Sequence, residues 1–409
     1  MAVNLQAPRN EELLPIAGIE LGFAQAGIRR AGRPDLMLMR IAEGAQVAGI
    51  FTQNSFAAAP VQICREHLAG GAPTRALIVN AGNANCGTGA RGLAAARRTC
   101  AAVAGALGCA ESAVLPFSTG VILEHLPVEK IEAALPACVS SLGADRWGEA
   151  AAAIMTTDTV AKAVSCRATI AGQTVSVTGI AKGVGMLQPN MATMLAYVAT
   201  DARVSAPLVS QLVREVGDAS FNRVTVDGDT STNDSFILVA TGRASHPLID
   251  AATSPAYAEL RSALIAVASH LAQAIARDGE GATKFITVTV NGARDVAEAL
   301  RVGKMIAHSP LVKTAFFASD PNLGRLIMAI GNARLENVDT SLINLFLGEV
   351  QVIERGERAH SYREEDGARV MKAAEITVTV ELARGAATAM VWTCDFSYDY
   401  VKINAEYRT

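Results

Sequence analysis

The chain is 409 residues long, 50% hydrophobic and 18% charged. That length suits two or three domains or one large two-lobed enzyme, and the composition excludes intrinsic disorder. Thirty-six Lys and Arg against 39 Asp and Glu leave a net charge of −3, which excludes a broad basic surface for nucleic acid.

Taken in chain order, the first segment carries Arg9, Glu11, Glu12 and Glu20 and has no apolar stretch of the signal-peptide kind. The uncharged run 44–64 is interrupted by Gln46, Gln53, Asn54, Pro60 and Gln62, and the run 183–200 by Gln188, Pro189 and Asn190. Neither reads as a membrane span, so a soluble cytoplasmic protein is expected. Strands are predicted at 75–79, 173–177, 236–240, 285–290, 350–353 and 375–381. The segments 173–177 and 285–290 alternate polar and apolar residues, as half-buried strands of antiparallel or mixed sheets do. Helices are predicted at 93–107, 147–155, 205–217 and 256–276. The third of these starts with Ser205 as N-cap and Pro207 in its first turn. In the last, Leu264, Ala268, Leu271 and Ile275 keep the spacing of a buried face.

These elements imply an α+β layered architecture. Asp278-Gly279-Glu280-Gly281 is the strongest punctuation and places a boundary between a main catalytic lobe, 1–280, and a C-terminal lobe, 281–409. The cysteines, Cys64, Cys86, Cys100, Cys109, Cys138, Cys166 and Cys394, are odd in number and scattered. They argue against a disulfide framework or a zinc knuckle.

Few segments carry recognisable chemistry. Asn80 to Asn85 and Asp227 to Asp234 hold more Asn, Asp, Thr and Gly than a core loop requires. The second has carboxylates at alternate positions, but Leu238 stands where a calcium loop ends in Glu, so a hydrogen-bonded turn is the better reading. Gly183-Val-Gly185 after Lys182 lacks the spacing of a phosphate loop and reads as a glycine turn. The six histidines show no metal-binding spacing, and no G-x-S-x-G elbow is present. There remains Lys182-Gly-Val-Gly-Met-Leu-Gln-Pro-Asn-Met-Ala192-Thr193-Met-Leu, where a hydroxyl follows a small residue downstream of Pro and Gly. By residue chemistry alone a loop entering a buried strand is the better reading.

That segment resembles the autoprocessing site of the ornithine acetyltransferase family, the ArgJ glutamate N-acetyltransferases of arginine biosynthesis. The resemblance runs almost end to end. It includes Phe51-Thr-Gln-Asn-Ser-Phe-Ala-Ala-Ala-Pro-Val61, Asn80-Ala-Gly-Asn-Ala-Asn-Cys86, Ile154-Met-Thr-Thr-Asp-Thr159 and Val226-Asp-Gly-Asp-Thr-Ser-Thr-Asn-Asp234. Ser309-Pro-Leu-Val-Lys-Thr-Ala315 and the tail from Trp392 to Thr409 complete it. The sequence departs from the family at Ala318, where a glycine is usual nearby, and at Leu323, where a tryptophan is usual; this bears on fine specificity rather than on chemistry.

The resemblance implies an αββα sandwich of the DmpA/ArgJ-like, N-terminal-nucleophile-like type with a second C-terminal lobe. It implies self-cleavage between Ala192 and Thr193 into chains 1–192 and 193–409, which stay associated as an α2β2 assembly. Thr193 would then be the nucleophile, with its freed α-amine as base. Thr119 and Gly120, in Leu115-Pro-Phe-Ser-Thr119-Gly120-Val121, would form the oxyanion hole. Lys182 would meet the substrate carboxylate and Glu280 the ornithine ammonium, with Thr156 or Thr157, Asn404 and Thr409 as further ligands. Without the resemblance, Lys182 and Glu280 read as ordinary surface charges. The implied reaction moves acetyl from N2-acetyl-L-ornithine to L-glutamate, with no metal or redox cofactor; many relatives also accept acetyl-CoA. An autoprocessing aminopeptidase and an inactive binding homologue are the competing readings. The carboxyl-terminal tail is expected to be tied down by Val401, Ile403 and Tyr407.

Overall fold

The computed structural model describes residues 2–186 and 194–406. The first stretch supplies β1 (Ile19–Ala24), β2 (Leu36–Ile41), β3 (Gln46–Phe51), α1 (Ala59–Ala69), β4 (Ala76–Asn83) and α2 (Gly89–Leu107). It continues with β5 (Val114–Val121), α3 (Val128–Ser140), α4 (Trp147–Ala153), β6 (Lys162–Ile170) and β7 (Gln173–Lys182). Beyond residue 194 follow β8 (Leu195–Thr200), α5 (Ala206–Ala219), β9 (Ser235–Ala240) and α6 (Pro255–Arg277).

These strands build two sheets, ordered β1-β2-β4-β5 and β3-β9-β8-β7-β6. Strands such as Leu-Met-Leu-Met in β2 and Leu-Ala-Tyr-Val-Ala-Thr in β8 are apolar on both faces because both faces are covered. The two-residue period of a strand decides where each side chain goes. Met37, Met39, Leu77 and Phe117 of the first sheet meet Ile180, Leu195, Tyr197 and Ile237 of the second between the layers. Their alternates Leu36, Leu38 and Ile78 pack outward among residues of α2 and α3, and Val175, Val198 and Leu238 pack among those of α5 and α6. The result is the αββα sandwich.

Residues after 284 form β10 (Phe285–Ala293), α7 (Val296–His308), α8 (Pro310–Phe317), α9 (Leu323–Gly331), β11 (Asn344–Leu347) and β12 (Val350–Glu354). After these come β13 (Glu357–Arg358), α10 (Glu364–Met371), β14 (Glu375–Glu381), β15 (Ala387–Cys394) and α11 (Tyr398–Ala405). The sheet order is β13-β12-β11-β14-β10-β15, with a separate apolar core. Strand β10 pairs parallel to β14 and antiparallel to β15, a mixed sheet of the kind its alternation suggests. Ala318 closes α8, and Leu323 opens α9 and packs on this core.

The structure amends several boundaries. Strand β7 runs five residues beyond 177, because past that point it is buried on both faces and the polar alternation stops. Ser205 occupies the N-cap position of α5 with Pro207 in the first turn, yet its side chain makes no cap hydrogen bond; Ser254 of α6 does, accepting from the Tyr257 amide at 3.2 Å. The Ala-rich helix ends at Ala153. The expected apolar anchoring of the tail fails. Val401 is 67% exposed, Ile403 is half-buried, and Tyr407 lies outside the described residues. In a helix, residues two apart point to nearly opposite sides, so Val401 and Ile403 cannot share one buried face. The tail is held instead by the Phe396–Tyr400 stack at 4.5 Å and by Ser397 Oγ donating to the Gly281 carbonyl at 2.6 Å. All seven cysteines are free. Among the described residues, no helix is long and apolar enough to cross a membrane.

Candidate active site

The site begins where β4 and β5, a parallel pair, end side by side. Gly120 has φ +136°, and a Cβ there would lie 2.2 Å from the Gly82 carbonyl carbon. Only glycine tolerates both that backbone conformation and that approach. The asparagines of the polar segment 80–85 hold this corner. Asn80 accepts from Ser118 Oγ at 2.6 Å and donates to the Asn83 carbonyl at 2.9 Å. Asn83 Oδ1 accepts the Asn85 amide at 2.8 Å.

Beside it lies a buried web of charge. Lys162 donates to Asp158 at 2.8 Å and to Asp278 at 2.7 Å, and all three side chains are fully buried. Lys182, at the end of β7, stands 3.9 Å from Asp158. Asp158 also accepts the amides of Thr156 at 3.1 Å and Gly183 at 2.8 Å, while Asp278 accepts the Thr159 amide at 2.9 Å and the Thr159 hydroxyl. Burial would raise the Asp158 carboxyl, but the Lys162 and Lys182 ammonium groups outweigh it and hold the carboxyl well below the usual range. The Met-Thr-Thr-Asp-Thr turn is therefore folded around two carboxylates and two lysines.

Glu280 completes the wall. Its carboxylate accepts Thr157 Oγ1 at 3.1 Å and Asn404 Nδ2 at 2.9 Å. A Cβ on Gly185 would strike that carboxylate at 2.4 Å, so the glycine turn after β7 is a space made for Glu280. Burial pushes the Glu280 carboxyl up despite those two hydrogen bonds, and burial pulls the Lys182 ammonium down despite the Asp158 carboxylate. The reading of Lys182 and Glu280 as surface charges is corrected: they are 4% and 8% exposed. Asp278-Gly279-Glu280-Gly281, read as punctuation, supplies two of the web's carboxylates.

These groups line one cavity of about 250 Å³. Thr119, Gly120, Thr156, Thr157, Lys182, Glu280 and Asn404 all line it. The structure thus brings together every described residue that the resemblance singled out. Ala192, Thr193 and Thr409 lie outside the described residues. The Met186 amide donates to Asp227 at 2.5 Å, and the Met194 amide donates to Asp234 Oδ1 at 3.1 Å. Among the described residues Asp234 Oδ2 has no hydrogen-bond partner, and burial pushes this carboxyl well above its ordinary value.

Sequence reasoning missed the roles of Asp158, Lys162, Asp234 and Asn233. Asn233 Nδ2 bridges the Ala84 and Ser118 carbonyls at 2.7 and 2.9 Å, tying the polar turn 227–234 to the end of β5. The turn is hydrogen-bonded, as expected, and it also lines the cavity through Ser231, Thr232 and Asn233. Its signal was polar density next to an apolar strand. Among the described residues, no group of three or more His, Cys, Asp or Glu is placed to hold a metal ion.

The model of the ArgJ family matches residues 20–409. The chain belongs to the ArgJ family. Among solved structures it is similar to the arginine biosynthesis bifunctional protein ArgJ of Bacillus halodurans, at 39% identity, with 51% of this chain and 97% of that chain covered and a TM-score of 0.49. It is also similar to the ornithine acetyltransferase of Mycobacterium tuberculosis, solved with ornithine, at 33% identity, 45% and 97% coverage and a TM-score of 0.39. An L-aminopeptidase D-Ala-esterase/amidase of Ochrobactrum anthropi matches at 11% identity, 68% and 88% coverage and a TM-score of 0.40. Membership of the ArgJ family rests on the match of the family model.

Proposed function

We propose that this ArgJ-family chain cuts itself between Ala192 and Thr193 and then transfers acetyl from N2-acetyl-L-ornithine to L-glutamate. In processing, Thr193 Oγ attacks the Ala192 carbonyl and its proton passes to the Thr193 nitrogen as the C–N bond breaks, an N→O shift that frees the Thr193 amine; water then hydrolyses the ester to release the Ala192 carboxylate and the Thr193 hydroxyl. In turnover that amine takes the hydroxyl proton as Oγ attacks the acetamide carbonyl. The proton then passes to the departing α-amine of ornithine, leaving acetyl-Thr193. The α-amine of glutamate attacks the ester and regenerates the hydroxyl. Thr119 and Gly120 stabilise the oxyanion, and losing one such donor typically costs about 2.7–4 kcal/mol of barrier.

The observation that carries this reading is the pairing of opposite charges in one cavity with the Thr119–Gly120 corner. A buried ammonium at Lys182 suits an α-carboxylate, and a buried carboxylate at Glu280 suits a side-chain ammonium, so the cavity fits a diamino acid held at both ends. Thr156, Thr157, Asn404 and Thr409 complete the ligand set. The enzyme works in the cytoplasm as an α2β2 assembly, and no metal or redox cofactor takes part.

The decisive experiment incubates the protein with N-acetylornithine and glutamate and reads ornithine release. With N-acetylornithine alone, rapid quench is expected to add one acetyl group to the chain beginning at Thr193. Thr193→Ala is expected to give a single full-length band and no release. A Thr193→Ala chain that still splits at that bond refutes the nucleophile assignment. Offering acetyl-CoA in place of N-acetylornithine separates a one-donor from a two-donor enzyme.

A further inference from the structure

A second cavity of about 240 Å³ adjoins the first, and Gly120, Val121, Thr156 and Thr157 line both. Its character is different. Where the first presents Glu280, the second presents Arg29, Arg30 and Arg33. Two carboxylates also line it, Asp35 and Glu406, so guanidinium groups outnumber them. The Asp35 carboxylate is already committed, accepting the amides of Ala26 at 2.6 Å, Gly27 at 3.2 Å and Ile28 at 2.6 Å. Those bonds fold the arginine-bearing loop against β4, where the Ala81 amide donates to the Asp35 carbonyl at 2.9 Å.

The three arginines are held differently. Arg29 pairs with Glu124 at 3.1 Å. Arg33 donates to the carbonyls of Met155 and Thr156, which fixes its guanidinium against the turn shared by the two cavities. Neither Arg30 nor Arg33 has a carboxylate partner among the described residues, and a guanidinium fork is built to meet one.

The proposed reaction needs one site to accept two amino acids whose side chains carry opposite charge. The α-amino and α-carboxylate ends of the two are alike, but a side-chain carboxylate placed beside Glu280 meets like charge. We propose that the two cavities are two side-chain subsites of a single amino-acid site. The α-carboxylate of either substrate stays at Lys182, the cationic chain of the donor runs toward Glu280, and the side-chain carboxylate of the acceptor turns past Gly120 and Thr156 to Arg30 and Arg33. The inference rests on the proposed acetyl transfer through acetyl-Thr193 for its substrates, and it identifies residues that choose between them.

Arg30→Ala tests it, because Arg30 is exposed and its removal takes no core contact away. The variant is expected to lower kcat/KM for glutamate at least tenfold more than for N-acetylornithine, and Arg30→Glu to deepen that gap. Arg30→Lys is expected to restore part of it, and with glutamine as acceptor the wild type and Arg30→Ala should converge. Equal losses on both substrates, or an equal loss with glutamine, overturn the proposal. So does a loss confined to acetyl-CoA, which would make the arginines a phosphate site. Calorimetric titration with L-glutamate and with L-ornithine reads the subsites without turnover. Arg30→Ala is expected to weaken only glutamate and Glu280→Gln chiefly ornithine. That pattern in a protein that transfers no acetyl would refute the reaction and keep the subsites; its absence in an active enzyme would do the reverse.

Discussion

Lys182 and Lys313 are both buried lysines, at 4% and 1% exposure, and burial lowers the pKa of each. Their surroundings differ. Lys313 donates to Thr393 Oγ1 at 2.8 Å and to the Cys394 carbonyl, and it lies 4.5 Å over the Phe396 ring. Lys182 makes no hydrogen bond to a described residue; its contact is the 3.9 Å approach to Asp158, and it faces a cavity. An ammonium carries three donors, and a buried one left short of acceptors is costly. Lys313 therefore fastens the turn between β15 and α11, whereas Lys182 keeps donors in hand for a ligand. Burial alone does not separate a structural charge from a functional one; the completeness of its partners does.

The largest effect is expected at the charge that is both buried and fully paired. Lys162→Met leaves Asp158 and Asp278 facing each other without their shared cation, and should cost about 3–5 kcal/mol of stability. Denaturant unfolding measures it, and a loss below about 1 kcal/mol would mean that the web carries little of the fold. Lys182→Met should behave in the opposite way. Stability should change little, while kcat/KM for both amino acids falls about thirtyfold or more, the scale of about 2–5 kcal/mol for a buried charge losing its partner. Self-cleavage must be confirmed on a gel before the kinetics are read. A Lys182→Met protein that melts early yet binds normally would invert the comparison.

Glu280→Gln is expected to weaken N-acetylornithine about tenfold relative to glutamate, as one charge-assisted hydrogen bond is lost. The pH dependence has a defined sign. Glu280 binds an ammonium only when ionised, and burial raises its pKa, so affinity for N-acetylornithine should begin to fall on acidification at a higher pH than an ordinary glutamate requires. On the alkaline side Lys182 must stay protonated, and burial lowers its pKa, so carboxylate binding should fade before the ordinary lysine range. A kcat/KM profile whose acidic limb survives Glu280→Gln would assign that limb elsewhere. The smallest effect is expected from removing the chain from Asn404 onward: self-cleavage intact, KM for N-acetylornithine raised severalfold. Truncation that lowers soluble yield without moving KM would make the tail a packing element.

The layered body was readable because strands and helices advertise themselves by period: β14 spans 375–381 in both the pattern and the structure, and α6 keeps its apolar face throughout. The site was readable only through the resemblance to the family. Asp158 and Lys162 are four apart but sit across a turn and a strand start, so no periodic rule pairs them, and Asp278 reaches them from more than a hundred residues away. Arg30 and Arg33 look like any charged loop until the fold sets them beside Gly120. Long-range pairing of single polar residues leaves no local trace in the sequence. Val401 shows the converse error: an apolar residue near a chain end was given a core it does not have.

The order β3-β9-β8-β7-β6 has one more consequence. Strands from before and after the Ala192–Thr193 bond are interleaved in a single sheet: β8 lies between β7 and β9, and β3 pairs with β9 along its whole length. Cutting that bond would leave every one of these hydrogen-bonded ladders in place, but it would change the molecularity of refolding. The intact chain refolds as one molecule, whereas the cut protein must first bring two together. Its midpoint of unfolding would then rise with protein concentration, and a dilute, heated sample would recover slowly or not at all.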